Sequence, residues 1–234
     1  MHLTVEETEA LTITASNTDD ERLRTVLNRI LNGRTRYKWT DYITLSHDKM
    51  LEQKNSKEIG KLRAYATELM VCDHLNDHME RHGIDGICIH NDELSKHAEL
   101  LAKHEIILDP NQSGYDLLLV TFDTGVCHKI QVKHRNTSIH LETTRRNSKK
   151  NADKNATGHV SYSSNEFDYL IVVKGKFDES VDMERDLIIF PTSAIVNKDK
   201  PDVLQTSINK KQEQHYKDRF DDMLGKLMNV SLRE

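Results

Sequence analysis

The chain has 234 residues, long enough for one large domain or a domain with an appendage. Its 36% hydrophobic and 30% charged residues suit a soluble globular protein, and no apolar run approaches the roughly 20 residues that a membrane-spanning helix needs. The formal net charge of −5 argues against a general nucleic-acid coat protein, so contact with a polyanion is expected only through a local basic patch.

Cys72, Cys88 and Cys127 are scattered, odd in number and form no CxxC pair, which points away from a disulfide framework or a zinc knuckle. The start, MHLTVEETEA, is acidic and lacks an apolar core, so a secretory signal is not expected. A reducing, cytoplasmic setting is the expectation, without a membrane partner.

Residues 1–17 read as a polar tail or an edge strand. Thr18 can cap a helix whose first turn holds Asp19, Asp20 and Glu21, and Gly33 can end it after the stripe Leu23, Val26, Leu27, Ile30 and Leu31. The aromatic and basic segment RTRYKWTDYITL follows. Tyr37 and Trp39 suit either a packing anchor or contact with nucleic acid, and packing is preferred. A short helical stretch is expected near 47–54. Residues 1–55 together form a helical extension, ahead of a core over 56–234.

Ser56 opens a long helix reaching His82 and closed by Gly83. Leu62, Tyr65, Ala66, Leu69 and Met70 recur at helical spacing, with Glu68 among them. His74, His78 and His82 repeat along one face of that helix. Without an HExxH motif they read as a solvated polar face rather than a zinc site. A strand over 84–89 and a helix over 92–104 come next, then strands 115–122 and 127–134. The segment RRNSKKNADK, residues 145–154, carries five cations and one acid. Strands near 167–174 and 186–190 precede Pro191-Thr192-Ser193, which can start a short helix. An amphipathic helix over 210–229 presents Tyr216, Phe220, Met223, Leu224 and Leu227, to seal the core or meet a second subunit. This order predicts an α/β or α+β sheet with helices against it.

The chemistry concentrates in GYDLLLVTFDTGVCHKIQVKHR, residues 114–135. Asp123-Thr124-Gly125 is a turn signal between two strand-like runs. A hairpin about Asp123-Thr124 sets Asp116 opposite Gln131; one about Thr124-Gly125 sets it opposite Lys133. In both registers the three polar groups share one face, because side chains alternate with period two; a three-residue loop would instead place Val132 opposite Asp116 and break the arrangement unless a bulge restored it. An acid, an amide oxygen and an ammonium converging there are the parts of a hard-cation site. The plainer alternative is a solvated cross-strand ion pair, contributing under about 1 kcal/mol.

Asp116 followed by Gln131-Val132-Lys133 on the next strand resembles the PD-(D/E)xK nuclease superfamily in its QxK variant. The resemblance covers roughly residues 56–192 and departs from the pattern at Tyr115, where proline is usual, and at the neutral Gln131. It implies a restriction-endonuclease-like central mixed β-sheet flanked by helices. Asp116 would bind the metal, with Gln131 and the Val132 carbonyl as further ligands. Lys133 would be the catalytic lysine and Glu68 the helix acid that completes or tunes the site. The cofactor would be Mg²⁺, with Mn²⁺ able to substitute and no nucleotide cofactor. DNA-phosphate contacts are expected from His134, Arg135, Arg145, Arg146, Lys149, Lys150 and Lys154.

The function so implied is a Mg²⁺-dependent endodeoxyribonuclease acting on double-stranded DNA, of the site-specific, type II restriction-like kind, and a homodimer would suit it. The alternatives are a non-catalytic DNA-binding module on a nuclease fold, a homing, Mrr-like or junction-resolving nuclease, or a protein-interaction domain. The sequence offers no Walker motif, no GxGxxG and no GxSxG. Cys127 and His128 are strand neighbours that point to opposite faces, which disfavours a nucleophile pair.

Overall fold

A computed structural model of the protein describes residues 5–19, 23–24, 27, 31, 36–42, 56–106, 114–143, 160–175 and 181–228. The first element is helix α1, Val5–Asn17. This corrects the expectation of a polar tail or edge strand. The hydroxyls of Thr14 and Ser16 donate to the carbonyls of Ala10 and Thr12, one turn back, at 2.8 and 2.9 Å. Hydroxyl residues that favour other conformations are thereby accommodated in a helix. In the expected next helix, Leu23, Arg24, Leu27 and Leu31 are helical, and Leu27 is buried. The expected stretch at 47–54 lies outside the described residues.

Helix α2, Ser56–Arg81, is the longest element, and Gly83 follows it at φ +63°, the left-handed conformation that ends helices. Five strands then build one sheet: β1 (Gly86–His90), β2 (Leu117–Thr121), β3 (Val126–Arg135), β4 (Tyr169–Lys174) and β5 (Leu187–Pro191). Their spatial order equals their chain order. Neighbours are antiparallel except β3 and β4, which run parallel. A parallel pair needs a crossover, and residues 136–168 provide it. Within it Ile139–His140 pairs with Ser207–Ile208, and Glu142–Thr143 pairs with Val160–Ser161.

Both faces of the sheet are covered, which explains why Leu117 to Val120 is an unbroken apolar run. Leu117, Leu119, Ile130, Val132, Ile171 and Ile189 face α2, meeting Ala66, Met70, Leu75 and Met79. Leu118, Val120, Leu170, Val172, Ile188 and Phe190 face Ile139, Tyr162, Ile195, Leu204 and Ile208. Each such side chain contributes about 1.5–3 kcal/mol on full burial. Gly86 lets α2 lie close to the sheet: a Cβ there would come within 2.5 Å of the Val120 carbonyl oxygen and 3.0 Å of the Met79 sulfur.

Residues 36–42, assigned by sequence to the extension, belong to the same core. Arg36–Tyr37 pairs with Val181–Asp182, and Tyr37 and Trp39 are fully buried against α2 and its neighbours. The preference for packing over nucleic-acid contact is therefore right. Between β1 and β2 the expected helix is a 3-10 segment, Asn91–His97, continued by α3, Ala98–Lys103. The C-terminal helix is two helices, α4 (Lys210–Lys217) and α5 (Phe220–Leu227), separated at Asp218 and Arg219. Met223, Leu224 and Leu227 seal the core on the α2 side. Among the described residues, no helix is long and apolar enough to cross a membrane.

The histidines of α2 depart from the solvated face expected of them. His74 and His78 are buried and only His82 is exposed. His74 Nδ1 lies 3.4 Å from the Tyr37 hydroxyl, and the two rings meet edge to face. The His78 ring lies 4.2 Å from that of His82, tilted by 33°. Burial, then the nearby His82 and Arg81, lowers the His78 pKa to about 4. A histidine that folds in its neutral form contributes stability above its unfolded pKa of about 6.5 and loses it as the pH falls through the folded value. The unfolding free energy of the wild type relative to a His78→Gln variant is expected to fall between about pH 7 and about pH 4, measured by denaturant titration across pH. A constant difference over that range would exclude a neutral buried His78.

Candidate active site

The β2–β3 ladder pairs Leu117 with Ile130 and Thr121 with Val126, so Asp123-Thr124 forms the tip and Gly125 takes the left-handed conformation at φ +64°. Of the registers open to the sequence, this is the one that brings Asp116 against Gln131. Strand β2 starts at Leu117, while β3 continues to Arg135 paired only with β4. The N–H of Val132 would lack a ladder partner on that open side. The Asp116 carboxylate takes its place, with Oδ2 accepting from Val132 N at 2.7 Å. The Asp116 N–H donates to the Ile130 carbonyl at 2.8 Å, which ties the residue at both ends of its backbone and side chain.

Gln131 and Lys133 alternate with the core-facing Ile130 and Val132 and lie on the sheet face of Tyr162. Gln131 is buried. Its side-chain nitrogen donates to Asp116 Oδ2 and also lies 3.4 Å from the Val132 carbonyl oxygen. A partly positive amide nitrogen thus sits between two oxygens. That oxygen pair fits a hard cation, and the Gln131 amide, whose oxygen and nitrogen have similar size, can supply a third oxygen. Among the described residues, no three His, Cys, Asp or Glu side chains gather as a ligand set. The donors here are a carboxylate, a backbone carbonyl and an amide, with Glu68 as the nearby second acid.

Glu68 reaches this point because α2 is fastened to β1. The Asn76 side chain accepts from Cys88 N at 2.8 Å and donates to Cys88 O at 2.9 Å. These are the outward backbone groups of an edge strand, and the amide closes them off. Two residues on, His90 ends β1 beside Leu117, and two turns back Glu68 faces it, with Nε2 and Oε2 3.0 Å apart. Sequence reasoning missed His90. A lone histidine at a strand end carries no motif, and its pairing with Glu68 exists only once the helix docks.

Lys133 stands with Nζ 5.3 Å from the centroid of the Tyr162 ring, a cation–π distance. Of the residues expected to touch DNA, His134 and Arg135 bond within the protein. His134 Nε2 donates to the Gly175 carbonyl at 2.8 Å, and its ring packs edge-on against Trp39. Arg135 donates to the carbonyls of His134 and His140 at 2.8 and 3.1 Å, bracing the start of the crossover. Arg145, Arg146, Lys149, Lys150 and Lys154 lie outside the described residues. The two-residue strands on either side of that segment pair with each other.

Charge is crowded at Asp116. Burial, then the Glu68 carboxylate, raises its pKa to about 6, against the lowering effects of the Val132 N–H, Lys133 and His90. For His90, burial opposes protonation, but the bond to Glu68 and the charges of Glu68, Asp92 and Asp116 outweigh it and raise the pKa. A carboxyl that holds its proton more tightly when folded favours folding at low pH and opposes it once ionised. The unfolding free energy of the wild type relative to Asp116→Asn is therefore expected to fall as the pH rises from about 4 to about 7, by about 3 kcal/mol. Chemical denaturation in the presence of a chelator measures it, and a rise over that interval would exclude the crowded carboxyl.

Comparison with known proteins finds no relative of this arrangement: no family model matches the chain, and no curated protein or solved structure is significantly similar to it.

Proposed function

We propose that the protein is a Mg²⁺-dependent endodeoxyribonuclease that hydrolyses phosphodiester bonds in double-stranded DNA, of the site-specific, type II restriction-like kind. The observation that carries this reading is the Gln131 amide nitrogen lying between Asp116 Oδ2 and the Val132 carbonyl, with Lys133 next on the same sheet face. Three oxygens and an ammonium at one strand edge supply what phosphodiester hydrolysis needs from a protein: a cation seat and a positive group beside it. The order of elements agrees with the nuclease superfamily that the Asp116 and Gln131-Val132-Lys133 pattern resembles. A helix acid precedes a three-strand meander, and a crossover then leads to a parallel neighbour.

In this reading Asp116, Gln131 and the Val132 carbonyl hold Mg²⁺. When bound, the ion supplies positive charge against that developing on the phosphate oxygens. Lys133, held over Tyr162, orients the attacking water and shares that charge. Water attacks phosphorus in line and gives a proton to solvent, while the opposite P–O bond breaks and its oxygen takes a proton from solvent to leave as a hydroxyl. Glu68 adds a second negative charge at the cation seat. The cations of segment 145–154 grip the DNA backbone, and affinity then falls steeply with salt. A homodimer matches the two-fold symmetry of a duplex cut on both strands.

A second reading, a non-catalytic DNA-binding module on the same fold, draws on one observation: neutral Gln131 bonds to Asp116, so the pair already satisfies one another. Nicking of supercoiled plasmid with Mg²⁺ or Mn²⁺ separates the two. The wild type is expected to nick or linearise the plasmid, and Asp116→Ala and Lys133→Ala each to lose activity by more than about 100-fold while remaining folded. Salt-sensitive DNA binding without cutting, across metals and DNA sequences, would favour the binding module. Undiminished cutting by either variant would remove the mechanism.

A further inference from the structure

His90 has no role in the chemistry described so far, yet the geometry of its pairing with Glu68 is specific. His90 caps the 3-10 segment Asn91–His97: its Nδ1 accepts the backbone N–H of Asp92 at 3.2 Å. A ring nitrogen that accepts carries no proton, so in the neutral ring the hydrogen is on Nε2. Nε2 is the atom 3.0 Å from Glu68 Oε2, and it donates there. The imidazole is buried, and the edge of the Tyr65 ring meets it at 5.0 Å between centroids. One backbone amide therefore fixes the tautomer, packing fixes the ring, and the ring fixes one oxygen of Glu68. The pair stands next to Asp116: His90 is opposite Leu117, and the N–H of the adjoining Asn91 donates to the Asp116 carbonyl at 2.9 Å.

We propose that His90 is a positioning residue that holds Glu68 as the second acid of a divalent-cation seat centred on Asp116. This rests on the metal-dependent reading above and extends it to a residue beyond the Asp116 and Gln131-Val132-Lys133 pattern. Groups that orient ligands from behind typically change metal affinity by about 10- to 100-fold when lost. Because the cation gains from His90 only through Glu68, removing His90 should matter only while Glu68 is a carboxylate.

The experiment is Mn²⁺ binding to the full-length chain, followed by loss of the electron paramagnetic resonance signal of free Mn²⁺, in the wild type, His90→Ala, His90→Gln, Glu68→Gln and the His90→Ala/Glu68→Gln double variant. Circular dichroism checks that each is folded. His90→Ala is expected to bind about tenfold more weakly. His90→Gln, whose amide can still donate towards Glu68, is expected to recover most of the affinity. In the Glu68→Gln background, His90→Ala should have no further effect. Wild-type affinity in His90→Ala, or an equal loss with and without the Glu68 carboxylate, overturns the proposal. Absence of Mn²⁺ binding by the wild type overturns both it and the nuclease reading. Binding with the expected coupling but without cleavage of any DNA removes the nuclease reading alone and supports the role of His90.

Discussion

The side chain of Asn76 fixes where a helix meets a sheet edge, and the candidate site depends on that registration. A primary amide matches the N–H and C=O of one residue, Cys88, and so stops β1 from offering its free edge to another chain. Hydrophobic contact alone would hold α2 against the strands but would tolerate sliding, because apolar burial has no direction. Two hydrogen bonds to a single residue remove that freedom. With the helix pinned there, Glu68 and His90 meet, and the cluster around Asp116 acquires its second acid.

The sheet contributes the other half of the geometry through a mismatch in strand length. β3 outruns β2, and in the stretch beyond their last pairing Val132 and Gln131 turn to Asp116 instead of to a neighbouring β2 backbone. A carboxylate buried for that purpose is costly when charged, and its raised pKa expresses the cost. A cation placed between Asp116 and the Val132 carbonyl would offset it. The same feature therefore explains the sequence oddity of an acid at the head of four apolar residues.

Much of this was legible in the residues. Alternation over Lys129 to Lys133 and a two-residue turn within Asp123-Thr124-Gly125 bring Asp116 onto one face with Gln131 and Lys133, while the loop length and register had to come from the fold. The order of helix, meander and later strands could be read from periodicity and from Gly83. What could not be read depended on tertiary partners. His74 and His78 have the spacing of a solvated face as well as of a buried one; Tyr37, far away in sequence, provides a polar partner for His74 within the core. Tyr65 has the spacing of the core stripe yet is exposed, because the buried stripe of α2 runs through Ala66, Met70, His74 and Leu75 instead. Position 90 lacks any periodic signature at all. The break between α4 and α5 at Asp218 and Arg219 contains neither glycine nor proline, so the sequence offers no stop there.

The small ladder joining Glu142–Thr143 to Val160–Ser161 also bears on how the chain tolerates insertion. It joins Thr143 to Val160, the described residues that bracket segment 145–154 in the sequence. The entropy of closing a loop grows only with the logarithm of its length, about 0.6 kcal/mol per doubling. An insertion between Thr143 and Val160 would therefore add little closure entropy and leave the strands carrying Asp116 and Lys133 unchanged.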